Sequence, residues 1–227
     1  MNSFSDFLNN MDWWGLLMFL LRLCAVLLCL TVHEVSHGLV AYRLGDSTAK
    51  DKGRLTLNPI KHISVFGLAL MVTAGVGWAK AVPVNPNNFK EPKRDMAITA
   101  LAGPVSNFIL ALLAGALTSV LYFAVGFEGI LASDGIYLLA TFLISLVTLN
   151  IGLGVFNLIP IPPLDGSKVL FSFLPQRVYW TILRYERYVM IALLGLVWLG
   201  VFNRPLNWLI HQGIHVIGVI TRCPLFL

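Results

Sequence analysis

Long apolar runs separated by short polar stretches dominate the 227-residue chain. A helix of about 20 apolar residues is long enough to cross the hydrocarbon core of a membrane. The runs that approach this length are Trp13–Leu44, Met96–Phe127, Ile136–Ile161, Tyr188–Phe202 and Leu206–Ile220. A shorter run, Ile63–Ala79, contains three glycines. The pattern predicts an all-α polytopic membrane protein with about five transmembrane helices.

The charged residues indicate how these runs are oriented in the membrane. The segment before the first run has Asp6 and Asp12 and no basic residue, and the turn between the two central runs has only Glu128 and Asp134. Three other connecting segments are basic, and their residues are Arg43, Lys50, Lys52, Arg54 and Lys61, then Lys80, Lys90, Lys93 and Arg94, and then Lys168, Arg177, Arg184 and Arg187. Because cytoplasmic loops are enriched in Lys and Arg, we expect a multi-pass cell-membrane protein with its N-terminus outside and its C-terminus in the cytoplasm.

The run Ile63–Ala79 has basic segments at both ends, so it is predicted to enter the membrane and return on the same side. Irregular backbone of this kind is tolerated at membrane depth where it lines a wet cavity. The flanking stretches Arg54–Leu57 and Val82–Asn85 alternate like short membrane-associated β-strands, although a plain loop fits equally well. We expect a single domain over residues 1–227, with a core at 13–175 and C-terminal helices at 178–220.

Composition supports a membrane environment, since 57% of the residues are hydrophobic and only 12% are charged. A soluble protein with this composition would expose large apolar patches, so the lipid bilayer is the expected solvent. The net charge of +5 comes from short basic clusters and not from one continuous patch, which argues against a nucleic-acid partner. The cysteines, Cys24, Cys29 and Cys223, form no disulfide framework. The first run has no basic residue before it and is expected to be a mature span and not a signal peptide.

The first run contains the motif His33-Glu34-Val35-Ser36-His37, which reads H-E-x-x-H. Residues four apart share a helix face, so both imidazoles can reach one metal ion. Glu34 is rotated about 100° from His33, where its carboxylate can reach a metal-bound water and not the metal. Ionisable side chains inside an apolar run are costly and generally mark function. The motif predicts a metal site with Glu34 as the general base.

A catalytic zinc needs a third protein ligand, and Asp165 is the candidate. This residue follows a proline-rich stretch, Asn157–Leu164, at the end of an apolar run. The prolines prevent a regular helix there, and Gly166 allows a tight turn, so irregular backbone could direct the carboxylate toward the metal. The alternative is that Asp165 caps a helix beginning near Gly166.

Together these motifs resemble the site-2 protease family of intramembrane metalloproteases, in its short bacterial form. Further stretches that carry the resemblance are Gly53–Pro59, Gly77–Lys80, Val82–Asn85 and Ala102–Asn107. The resemblance implies one zinc ion per chain, held by His33, His37 and Asp165, with Glu34 as the catalytic base. It also implies that Asn157 binds substrate or supports the site, and Asn107 is a further candidate. The substrate would be a membrane-spanning or membrane-tethered protein.

A non-hydrolytic membrane metal-binding protein or transporter is the alternative function for the same ligands. Glu34 argues against it, because water activation needs a carboxylate beside the first ligand and a transport site does not. Transporters also commonly show inverted repeats, and none is visible in the sequence. The pair His211 and His215 has the same spacing as the motif histidines but no glutamate between them, so we interpret it as part of an interfacial helix.

Overall fold

A computed structural model describes residues 11–64, 67, 80–175, 178, 181–182 and 184–227. The long helices are α1 (Trp13–Arg43), α3 (Pro92–Ala132) and α4 (Asp134–Asn157). Shorter helices are α2 (Thr48–Asp51), α5 (Asp165–Phe171), α6 (Glu186–Trp198) and α7 (Asn203–Thr221). One-turn 3-10 helices lie at Pro59–Lys61, Pro86–Asn88 and Pro224–Phe226. The predicted all-α architecture is present.

The number of membrane spans differs from the predicted five. Three helices within the described ranges, α1, α3 and α4, are long and apolar enough to cross a membrane. Helix α6 has 13 residues, which gives a length of about 20 Å against a hydrocarbon core of about 30 Å. It qualifies only together with α7, from which it is bent by 82°. The prediction of about five crossings was therefore wrong for the described residues, which give three candidate spans, or four if α6 and α7 form one bent span. Two separate apolar runs were each counted as a span.

The three long helices pack around a core of small and β-branched side chains. Helix α3 contacts α1, α4, α5 and α7. The core includes Ala25 and Cys29 of α1, Ala111 and Ala114 of α3, and Val147 of α4, all almost completely buried. Small residues at these positions allow membrane helices to approach closely. Trp14, near the start of α1, stacks on Tyr137, near the start of α4. The two helices therefore begin on the same side of the bundle, opposite the end of α4 at Asn157.

The outward faces of the long helices are apolar. In the most apolar 18-residue window of each span, only 17%, 28% and 39% of the residues are buried for α1, α3 and α4, respectively. Exposed side chains include Phe19, Leu113, Leu117 and Phe123. Surfaces of this kind need lipid and not water as their solvent. The protein is therefore a membrane protein.

The predicted β-strands are not observed. Arg54–Leu57 and Val82–Asn85 are irregular, and no strand occurs in the part of the chain that the structure describes. Backbone groups of the second stretch bond to side chains and not to a neighbouring strand, and Pro83 has no amide hydrogen to donate. Nearly all of the predicted re-entrant run, Ile63–Ala79, lies outside the described residues.

Candidate metal centre

Helix α1 presents both motif histidines on its inner face. His33 and His37 are one helical turn apart, and their Nε2 atoms are separated by 3.0 Å. His33 is 4% exposed, so it faces the helix bundle and not the lipid. The rings meet edge to face, with their centroids 4.6 Å apart. This arrangement directs one nitrogen of each ring toward the same point.

The carboxylate of Asp165 completes a three-atom cluster. Its Oδ2 atom lies 3.2 Å from Nε2 of His33 and 3.2 Å from Nε2 of His37. In a tetrahedral zinc site with bonds of about 2.0–2.1 Å, neighbouring ligand atoms are about 3.3 Å apart. The three atoms thus have nearly the mutual spacing that zinc requires. Among the described residues, they form the one cluster of three or more potential metal-ligating side chains.

The hydrogen bonds of the cluster also fit a cation. The Nδ1 atom of His37 lies 2.8 Å from the carbonyl oxygen of Thr99, which can only accept, so Nδ1 donates and Nε2 carries a lone pair. Asp165 Oδ2 is buried without a hydrogen-bond partner in the described part of the chain. Electron pairs converging at this distance repel one another unless a positive ion lies between them. Lys168 Nζ, 3.6 Å from the other carboxylate oxygen, favours the ionised form of Asp165.

Asp165 is directed by the irregular segment before it. Helix α5 begins at Asp165 itself, its N-cap residue is Leu164, and no side chain caps it. The helix-cap alternative for Asp165 is therefore not what the structure shows. Gly166 is helical and does not form the tight turn that we expected. Its role is steric, since a Cβ atom there would lie 2.1 Å from the carbonyl oxygen of Leu158.

Glu34 lies beside the cluster without joining it. Its Oε2 atom accepts a 2.7 Å hydrogen bond from the backbone N–H of Val82. A cavity of about 570 Å³ is lined by Glu34, both histidines and Asp165, and also by Asn157 and Lys168. This volume falls in the range of small-ligand sites, about 300–1,000 Å³. There is room beside the carboxylate for water and a small ligand.

The remaining predicted residues differ in how close they lie to the three-atom cluster. Asn107 Oδ1 lies 2.6 Å from Nδ1 of His33, so this residue contacts a candidate ligand directly. Asn157 lines the cavity, and its Nδ2 atom donates to Leu153 O of its own helix. His211 and His215 lie on α7 and do not belong to the cluster.

Sequence reasoning missed three residues that hold the candidate site residues in place through hydrogen bonds. Thr99 acts through its carbonyl oxygen and Val82 through its amide, so their side chains give no signal in the sequence. Asn150 is a polar residue within the apolar run of α4. That position could have been recognised, because a buried amide in a membrane helix needs a partner.

Three features define the class of protein. The H-E-x-x-H motif lies on a helix, the carboxylate of an aspartate far along the sequence meets its histidines, and a cavity among apolar helices adjoins them. These are the features of a membrane zinc metallopeptidase. The chain belongs to Peptidase family M50, whose model matches residues 21–133 and 129–199. This confirms the resemblance to site-2 proteases. The protein is therefore a zinc metalloprotease, with Zn²⁺ as its cofactor.

Individual relatives agree with this assignment. The chain is 45% identical over 167 residues to YwhC of Bacillus subtilis (strain 168), covering 73% of this chain and 74% of that protein. It is 32% identical over 165 residues to Rip2 of Mycolicibacterium smegmatis (strain ATCC 700084 / mc(2)155), covering 67% of this chain and 56% of Rip2. Both relatives are named as zinc metalloproteases. No solved structure matches the chain significantly.

Proposed function

We propose that this zinc metalloprotease hydrolyses peptide bonds of membrane-spanning or membrane-tethered proteins within or beside the bilayer. The observation that carries the proposal is the position of the three-atom cluster in the helix bundle. His37 and His33 precede Arg43, the last residue of α1, by a rise of about 9 and 15 Å. The two candidate histidine ligands therefore lie inside a helix that is apolar enough to cross a membrane, and Asp165 meets them there from α5.

In this proposal His33, His37 and Asp165 hold the zinc ion through Nε2, Nε2 and Oδ2. A zinc ion bound there supplies Lewis acidity, which polarises a carbonyl group and makes a water molecule more acidic. Glu34 accepts a proton from the attacking water and delivers it to the amide nitrogen of the leaving strand. The hydrogen bond from Val82 N–H holds one carboxylate oxygen and leaves the other to carry the proton.

Cleavage inside a membrane segment requires the substrate helix to unwind. Each backbone group that is freed in lipid without a partner costs several kcal/mol, so the cavity must hold an extended segment and admit water. The polar groups that line it, including Asn157 and Lys168, provide such surroundings. The alternative of a metal transporter gains no support, since Glu34 lies in the same cavity as the ligand cluster.

We further propose that the N-terminus lies outside the cell and that the site opens toward the cytoplasm. This orientation rests on the basic residues that follow α1 and α4 and on the acidic turn between α3 and α4.

The test separates the base from the ligands and identifies the substrates. Glu34→Gln should retain about one zinc per chain and lose cleavage, because an amide cannot take up the proton. Asp165→Ala should lose both zinc and cleavage. Purified protein is analysed for metal content, and membranes containing the active or the Glu34→Gln form are compared by proteomics. Single-span fragments should accumulate with Glu34→Gln, and their cut sites in the active sample should map to membrane segments.

Two outcomes would contradict the proposal. Full zinc content in Asp165→Ala would remove Asp165 from the ligand set. Cut sites confined to soluble domains far from any span would place the activity outside the membrane.

A further inference from the structure

Two asparagines and a cysteine form a polar cluster in the interior of the apolar bundle. Asn107 of α3 and Asn150 of α4 are both 0% exposed, and Cys29 of α1 is 1% exposed. These residues come from the three candidate membrane spans. Polar side chains at such positions need a reason, because lipid-facing helices pack well with apolar residues alone.

In the hydrogen bonds of the cluster, each donor and each acceptor can be assigned. Asn150 Nδ2 donates to the carbonyl oxygen of Leu146 at 2.8 Å and to Cys29 Sγ at 3.0 Å. Since a carbonyl oxygen can only accept, it determines which end of the Asn150 amide carries the hydrogens. Asn150 Oδ1 therefore points to Asn107 and accepts from its Nδ2 atom at 2.6 Å.

The same logic passes through Asn107 to the metal site. With its Nδ2 atom occupied by Asn150, Asn107 presents Oδ1 to Nδ1 of His33 at 2.6 Å. Nδ1 of His33 must then carry the hydrogen, which leaves the lone pair on Nε2, the atom that faces Asp165 and His37. His37 reaches the same tautomer by a single bond to the Thr99 carbonyl. The tautomer of His33 thus depends on two side chains and that of His37 on the backbone.

We propose that Asn150 is a positioning residue of the zinc site, which holds Asn107 in the amide orientation that keeps Nε2 of His33 ready to bind metal. This inference rests on the proposed ligand role of His33. Asn150 belongs neither to the candidate ligands nor to the residues that line the cavity, and it acts through Asn107. Without Asn150, the Nδ2 atom of Asn107 keeps only its long contact of 3.5 Å to the Cys29 carbonyl oxygen. The amide can then turn its Nδ2 atom toward His33, which would favour the tautomer that cannot coordinate through Nε2.

The competing interpretation is that the asparagine pair only holds α3 and α4 together, as interhelical hydrogen bonds do. The two roles differ in what a substitution changes. A packing role predicts lower stability with unchanged zinc affinity. A positioning role predicts weaker zinc binding even where the protein remains folded.

The experiment compares zinc affinity in three full-length variants purified in detergent, using Zn²⁺ alone in competition with a chelator. Asn150→Leu has a similar volume but no polar atoms, and should weaken zinc binding by about 10–100-fold, as loss of an outer hydrogen-bond partner does elsewhere. Asn150→Asp, protonated in these apolar surroundings, keeps one acceptor and one donor and should stay within about threefold of the wild type. Val147→Ala, a fully buried residue of the same helix without polar contacts, is the packing control and should lower Tm without changing zinc affinity.

The results separate this inference from the proposed function. If Asp165→Ala loses zinc but Asn150→Leu binds it as tightly as the wild type, the ligand set stands and the positioning role is refuted. If Asp165→Ala and His33→Ala both bind zinc normally, the proposed ligand set itself fails. Should Asn150→Leu not fold, Asn150→Ala carries the same expectation of weaker binding, since small residues are readily accommodated between membrane helices.

Discussion

At the residue scale, a glycine of α3 provides the space that the two candidate histidine ligands occupy. A Cβ atom on Gly103 of α3 would lie 2.5 Å from Cε1 of His33 and 2.5 Å from Nε2 of His37. Helix α3 therefore packs directly against the imidazole rings, and the absence of a side chain creates the space for them. The Nδ1 partners of the rings, Thr99 and Asn107, lie four residues before and after Gly103, so one face of α3 supplies all three contacts.

Gly103→Ala should weaken zinc binding because its methyl group must displace the rings or separate α1 from α3. Overpacking of this kind costs about 1–3 kcal/mol, which corresponds to about 5- to 150-fold in zinc affinity if it falls on the bound state. Chelator competition measures the affinity, and cleavage should fall with it. Gly195→Ala on α6 is the matched control, since a Cβ atom there meets nothing within 4 Å. Equal zinc affinity in both variants would show that the rings do not depend on this contact.

At the scale of elements, the segment from Lys80 to Asn88, which is irregular up to its closing 3-10 turn, is held by side chains from α1 and the loop that follows it. Arg54 donates to the carbonyl oxygen of Lys80 at 2.6 Å, and Glu34 accepts from Val82 N–H. Asp46, which is 0% exposed, accepts from Asn85 N–H at 2.8 Å and Asn88 Nδ2 at 2.7 Å. This segment forms one wall of the site cavity, so its tethers also position the backbone beside the catalytic carboxylate.

The Asp46 tether should depend on pH. Burial by itself raises the pKa of the Asp46 carboxyl, but the hydrogen bonds from Thr48, Asn85 and Asn88 outweigh it and hold the pKa below its usual value. A carboxyl whose pKa is lower in the folded state stabilises the protein above its unfolded pKa of about 3.9, and this contribution is lost as the pH falls through the folded pKa.

Asp46→Asn should therefore be less stable than the wild type by about 1–3 kcal/mol at pH 7, because the amide hydrogens face donors. The difference in Tm between the two proteins should shrink as the pH falls below about 4. Thermal unfolding in detergent measures this difference. Asp51→Asn, which changes an exposed acid at the end of the nearby helix α2, is the control. A Tm difference that is constant down to pH 3 would contradict the ionised tether.

At the scale of the whole molecule, two contacts between distant parts of the chain show which ends of the helices lie together. The start of α1 contacts the start of α4 through Trp14 and Tyr137, and the histidines of α1 meet Asp165, which follows the end of α4. Helix α3 connects the two ends and runs in the opposite direction. Consequently, the three-atom cluster and the basic segments after α1 and α4 lie toward one side of the bundle. The acidic turn at Asp134 lies toward the other side.

This arrangement predicts the accessibility of single cysteines in intact cells. Cysteines introduced at Asp51 and Lys90, both exposed, should be labelled only after the membrane is opened, because the basic segments are cytoplasmic in our proposal. A cysteine at Asp134 should react with an impermeant reagent from outside. Cys24 is replaced by serine as a precaution, whereas the buried Cys29 and Cys223 can stay. Labelling of Asp51 and Lys90 from opposite sides would overturn this topology.

The sequence by itself determined the membrane class and the local part of the site. Apolar runs reveal long helices because their length must match the bilayer, and H-E-x-x-H reveals a metal because four residues make about one helical turn. It overestimated the spans, because run length does not show that α6 and α7 meet at 82°. It also predicted strands from alternation, because the pattern cannot show that side chains such as Arg54 and Asp46 satisfy the backbone.

Only the tertiary structure decided which distant groups meet at the metal centre. It showed that Asp165 does not cap helix α5 and lies beside His33, a proximity that depends on how the chain returns to α1 after more than 120 residues. It also revealed three supporting residues. Gly103 acts because it has no side chain, Thr99 acts through its backbone oxygen, and Asn150 acts through the side chain of Asn107. Such contributions depend on distance and direction across helices, and the order of residues in one helix does not encode them.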